Sequence, residues 1–177
     1  MFTESKLSET VISSTDEGLN VMDALSKIRK PSIFSLRTRA LKSGRTDTVV
    51  SATQSQWIWL KCYASGGENA LHAHTHEDHT FVVLQGTARF RGPHGEEKCV
   101  TANQGVTIPA GNVYCFEVVS KENLVMLRIG SPTGTGDPGE RTDENGQPLD
   151  AFVEAKTTLA RNMAQPEFDN FYHFEPH

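Results

Sequence analysis

Between residues 48 and 130, apolar and polar positions alternate in short runs that are cut by Gly, Asn and Pro. Val, Ile, Phe, Tyr and Trp dominate these runs, a texture that belongs to an all-β sandwich or barrel. The pattern predicts strands at Thr48–Thr53, Gln56–Tyr63, His79–Gln85, Ala88–Gly92, Glu97–Thr101, Gly105–Ile108, Val113–Val119 and Leu124–Ile129. Gly86-Thr87 and Gly92-Pro93-His94-Gly95 supply tight connections between them. No helix of useful length fits this stretch.

The flanks read differently. Residues 1–47 open polar and then place Leu19, Met22, Leu25 and Ile28 at three-residue spacing before Pro31, which predicts a helix capped by Thr15 or Asp16. Residues 131–177 begin with a Gly- and Pro-rich loop that runs to about Pro148, after which Leu149 to Asn162 is expected to form a short helix. The organisation is therefore an N-terminal arm (1–47), a β-barrel (48–130) and a loop with a C-terminal helix and tail (131–177).

Composition narrows the class of protein. The chain has 177 residues, enough for one domain with a sizeable core. With 37% hydrophobic and 22% charged residues it fits a soluble globular protein, and no apolar run is long enough to span a membrane. A net charge of -5 gives no reason to expect nucleic acid as a partner. The start of the chain lacks a basic segment followed by an apolar run, and Cys62, Cys99 and Cys115 form no CxxC pair, so reduced thiols in the cytoplasm are expected. From Lys27 to Arg45 there are seven basic residues and no acidic one, read first as a solvated face and second as a grip for an anion.

Histidine changes the picture. Four of the seven, His72, His74, His76 and His79, fall within eight positions. In an extended chain His72 and His74 point the same way, and His79 opens a strand whose alternation puts Phe81 and Val83 on its own face. If that face looks into a barrel, three imidazoles converge inside it. Such a set suits Fe, Ni, Cu or Zn and leaves coordination positions open. His76, beside Glu77 and Asp78, reads as part of a solvent-facing turn.

The spacing H-x-H-x4-H-x6-G, from His72 through His74 and His79 to Gly86, resembles the first motif of the cupin superfamily, with His79 where that motif usually carries Glu. Pro109-Ala110-Gly111-Asn112-Val113-Tyr114 resembles the second motif, P-x-G-x2-H, with Tyr114 in place of the His. The resemblance covers residues 56–130. It implies an all-β, cupin-type double-stranded β-helix (jelly-roll barrel), a homodimer, and metal ligands at His72, His74 and His79. Tyr114, whose phenol ionises near pH 10 in water, is then a further ligand or a catalytic hydrogen-bond donor beside the metal.

Alternation also suggests the pocket wall. Phe81 and Phe90 face inward on their strands, Phe116 shares the face of Tyr114, and Trp57, Trp59, Lys61 and Tyr63 lie on one side of their strand. If that side lines the barrel, Trp59 and Tyr63 stack a planar substrate and Lys61 holds a carboxylate; otherwise it is a dimer interface that buries the tryptophans. Arg128 is a candidate to reach an anionic group near the metal. Three functions follow from this reading. The first is an Fe(II) dioxygenase-type oxidoreductase acting on a small organic substrate. The second is a redox-neutral lyase, isomerase or cyclase using Zn, Ni or Mn. The third is a ligand-binding module whose metal site has been lost.

Overall fold

The computed structural model describes residues 3–4, 11–64, 70–137, 139–149 and 166–174. Two short parallel strands, β1 (Thr3–Glu4) and β2 (Ser32–Ile33), bracket the helix α1 (Thr15–Ser26). The chain then runs through β3 (Thr38–Ser43), β4 (Arg45–Ala52), β5 (Trp57–Tyr63), β6 (His72–His74), β7 (Glu77–Gln85), β8 (Thr87–Arg91) and β9 (Glu97–Thr101). It continues with β10 (Gly105–Ile108), β11 (Cys115–Val118), β12 (Leu124–Pro132), β13 (Arg141–Asp143) and β14 (Glu167–His173).

Five strands form the main antiparallel sheet in the order β10-β7-β12-β5-β4, and β11-β8-β9 form a second sheet. Their facing sides enclose a core of Tyr63, Phe81, Val83, Phe90, Phe116, Leu124 and Met126. The outer side of the main sheet carries Leu60, Cys62 and Val125, covered by Leu41 and by Phe34, Leu36 and Phe168 from the flanks. Strict alternation drives this separation: along β7, Glu77, His79, Phe81 and Val83 are buried, and the residues between them are half exposed.

The eight strands expected between residues 48 and 130 are present, β9 and β10 with the expected ends and the other six with shifted ones, and six strands (β1, β2, β3, β6, β13 and β14) lie outside that expectation. β6 pairs with β13, which rises from the segment read as a loop, and β14 pairs with β3. The helix exists, but its N-cap is Ser14, whose side chain accepts from the Glu17 N–H at 3.1 Å. Its buried side is also turned from the one expected. Leu25, Val21 and Met22 pack with Ile12, Val49, Trp57 and Trp59, whereas Leu19 and Ile28 remain exposed to 39% and 38%. Gly18 is what lets the helix come this close, because a Cβ there would stand 2.8 Å from the Trp59 ring. The helix expected at Leu149 to Asn162 lies outside the described residues. Among the described residues no helix is long and apolar enough to cross a membrane.

Candidate metal centre and pocket

β7 begins two residues earlier than alternation from His79 suggested, and this brings Glu77 onto the same interior face as His79. β6 lies alongside through its pairing with β13, and the backbone of His72 exchanges two hydrogen bonds with Tyr114, at 2.9 and 3.0 Å. His74, Glu77 and His79 then offer ligand atoms that all lie within 4.8 Å of one another, and all three residues are buried. This corrects the reading of Glu77 as part of a solvent-facing turn: it is 3% exposed. His72, expected as a ligand, stands outside this group. Its ring packs against His74 at 5.3 Å and its Nδ1 meets the Ala70 carbonyl at 2.8 Å.

Each member of the group is held by a neighbour. Trp57 donates its indole N–H to Glu77 Oε1 at 2.6 Å, and Glu77 Oε2 lies 3.0 Å from His79 Nε2. His79 Nδ1 lies 3.3 Å from the Tyr114 hydroxyl. Arg128 points its Nη2 at His79 Nε2 (3.0 Å) and His74 Nε2 (3.3 Å), with its guanidinium 4.8 Å above the Trp57 ring. Arg128 thus meets the imidazoles themselves, and not an anionic group beside them as expected.

Burial sets the protonation states. It pushes the imidazoles of His74 and His79 far below their ordinary range, helped by the charge of Arg128, so both stay neutral with a lone pair available. His72 is lowered to about 3 by burial and by the charge of Arg141. Burial raises Glu77 to about 7 against the opposing pull of the Trp57 hydrogen bond and of Arg128. Tyr114 is raised by burial, which keeps it a neutral phenol and makes it a donor rather than a phenolate.

A pocket opens from this centre along β5. Trp57, Trp59, Lys61 and Tyr63 all line it, so the face identified by alternation is the interior one. Phe81, Phe116 and Tyr114 form the opposite wall, and Leu19 and Met22 of α1 reach its rim. Phe90 lies behind that wall in the core, its ring 5.4 Å from Phe116 and 6.5 Å from Tyr114. Four cationic side chains (Arg45, Lys61, Arg128, Arg141) and two carboxylates (Asp47, Glu77) belong to the lining. Asp47 binds Lys61 at 2.7 Å and stands 3.9 Å from Arg45, with all three side chains at most 6% exposed. Burial lowers the Lys61 ammonium to about 7, against the opposing attraction of Asp47.

Sequence reasoning missed Arg45, Asp47 and Arg141 as pocket residues. Arg45 ends the basic run read mainly as a solvated face, yet it is 5% exposed because it opens a strand that is buried along nearly its whole length. Arg141 comes from β13, which no periodicity announced. His76 sits near the surface and pairs with Glu140 at 3.1 Å, consistent with a place outside the centre.

The donor set fits a divalent metal. Two neutral imidazoles and one carboxylate form the combination that holds first-row ions with positions left open; Trp57 orients Glu77 and Tyr114 meets His79 Nδ1, while His74 Nδ1 is buried without a hydrogen-bond partner. The Arg128 guanidinium addresses the same two Nε2 atoms and sets a cation beside that place.

Comparison with known proteins agrees with this architecture. A family model described as a cupin domain matches residues 59–130. A protein with a double-stranded β-helix domain from Klebsiella pneumoniae superposes with a TM-score of 0.51 at 23% identity, covering 59% of this chain and 92% of that one. A cupin superfamily protein from Desulfitobacterium hafniense gives 0.47 at 17% identity, covering 54% and 84%. KdgF from a Halomonas species gives 0.47 at 17% identity, covering 50% and 81%. No curated protein matches the sequence.

Proposed function

With residues 59–130 a cupin domain, we propose that this chain is a metal-dependent enzyme of the dioxygenase type, holding Fe(II) and acting on a small organic substrate. The observation that carries this reading is the convergence of His74, Glu77 and His79 within 4.8 Å. Two imidazoles and one carboxylate form the donor set associated with non-haem Fe(II) oxygenases. Bound there, the iron would supply electron exchange between O2 and an adjacent substrate.

The protein's own groups have defined tasks in this scheme. A metal at His79 Nε2 requires the ring hydrogen on Nδ1, which then donates to the Tyr114 oxygen 3.3 Å away. Tyr114 thereby fixes the ring, and its own O–H is left to donate into the pocket that it lines. Trp57 holds one Glu77 oxygen and leaves the other for the metal. The apolar wall of Phe81 and Phe116 keeps bulk water from the reacting atoms.

Arg128 supports a second reading, in which the pocket works without metal. With the ring hydrogen on Nε2, His79 would donate to Glu77 Oε2 and accept from the Tyr114 hydroxyl, a chain able to move a proton or simply to hold a ligand, while Arg128 donates to His74 Nε2. Metal analysis of protein purified without chelator, followed by O2 uptake after iron reconstitution, separates the readings. Stoichiometric iron in the wild type, lost in His74→Ala and Glu77→Gln, is expected. Bound zinc with no O2 uptake points to a redox-neutral enzyme, and absence of metal points to the second reading.

A further inference from the structure

The far end of the pocket, along β5 from the histidines, contains an acceptor-seeking hydroxyl. Tyr63 is fully buried and lines the pocket, and its Oη has no hydrogen-bond partner. A buried hydroxyl left this way costs stability unless something meets it. Burial raises its ionisation far above the ordinary phenol range, so it meets a ligand as a donor. Beside it, the Lys61 ammonium stands 5.6 Å from the Tyr63 ring and 5.6 Å from the Trp59 ring. One of its hydrogens goes to Asp47, a single carboxylate that faces Lys61 and Arg45 together. Donors and positive charge therefore converge here, with an indole alongside.

We propose that the substrate is a planar organic carboxylate, seated with its anionic end on the Tyr63 hydroxyl and the Lys61 ammonium and with its flat body along Trp59. The proposal rests on the reading of this pocket as the substrate site. Arg128 adds a second cationic side chain to the lining. The polar end lies four residues from Trp57 along one strand, ~13 Å at strand rise. A ring-sized molecule seated at this end therefore fills the stretch beside Trp59 and stops short of the histidines. Trp59 supplies a flat face, and Phe116 packs edge-on to Tyr63 at 5.2 Å to close the opposite side.

Calorimetric titration of the full chain with benzoate, benzamide and sulfate tests the proposal, on protein as purified and after chelator treatment. Benzoate is expected to bind at least about tenfold tighter than benzamide in both preparations, the difference that a charge-assisted hydrogen bond provides. Sulfate is expected to displace it only weakly. Tyr63→Phe removes one oxygen that has no partner, so the variant should fold with unchanged or higher stability and lose about tenfold in benzoate affinity. The double variant Asp47→Asn with Lys61→Met removes the ion pair as a unit and should abolish the preference for benzoate over benzamide. Equal affinity for benzoate and benzamide, full affinity in Tyr63→Phe, or displacement by equimolar sulfate would each overturn the proposal. Metal content does not enter these readouts, so a chain that binds benzoate but no metal sinks the metal-dependent reading alone.

Discussion

Arg128 Nη2 lies 3.0 Å from His79 Nε2, a guanidinium donating toward the atom a metal would need. Two cations cannot share that position without mutual repulsion, which is strong where water is excluded. Arg128→Met should therefore raise affinity for Fe(II) or Zn(II) by about tenfold or more, read by competition with a chelating dye. An unchanged or lower affinity would mean that Arg128 swings aside at no cost when metal enters.

Trp57 holds Glu77 through a 2.6 Å hydrogen bond in a buried setting. Trp57→Phe leaves that carboxylate oxygen without its donor and should destabilise the protein by roughly 1–3 kcal/mol in urea unfolding. Metal occupancy should fall in parallel, because the carboxylate loses its fixed orientation.

Gly130 faces Trp57 across the β12–β5 ladder, and a Cβ at that position would overlap the indole ring. The ring would have to leave its place and release Glu77. Gly130→Ala should cost roughly 1–3 kcal/mol, the range for overpacked cores, and should reproduce the metal loss of Trp57→Phe although it removes no polar group.

Lys61 makes stability depend on pH. Its ammonium has an ordinary value of 10.5 when unfolded and is lowered to about 7 by burial. Between those values the unfolded chain binds more protons, so this residue makes stability rise with pH from about 7 toward 10.5 and fall as pH drops toward 7. Denaturation midpoints at pH 7 and pH 9 should show that rise in the wild type. The double variant Asp47→Asn with Lys61→Met should flatten it.

Much of the barrel was legible because alternation is a direct print of which face is inside. Trp57, Trp59, Lys61 and Tyr63 announced a shared face, and the structure makes that face the pocket wall. Glu77 was legible in principle, since it lies two residues before His79 and shares its side of β7, but its acidic neighbour Asp78 made the segment look like a surface turn. Asp78 is in fact tied down, accepting the Ala110 N–H at 2.8 Å. Arg141 had no comparable print. It reaches the pocket because three residues of a Gly- and Pro-rich segment pair with β6, and pairing between distant segments leaves no periodic mark. The helix misled for a related reason: spacing by threes drifts around a 3.6-residue turn, so Leu19 left the buried side that Val21 and Leu25 occupy, and Ile28 lies past the C-cap at Lys27.

The Gly18 contact with Trp59 divides the labour of the chain. Donor atoms come from the barrel strands, but the rim of the entrance is set by how near α1 approaches, and Met22 accepts the Trp59 indole N–H at 3.3 Å. A larger residue at position 18 would push the helix outward and widen the doorway while leaving every donor atom in place. Relatives with identical barrels and different arms would then share a chemistry and differ in what they admit to it.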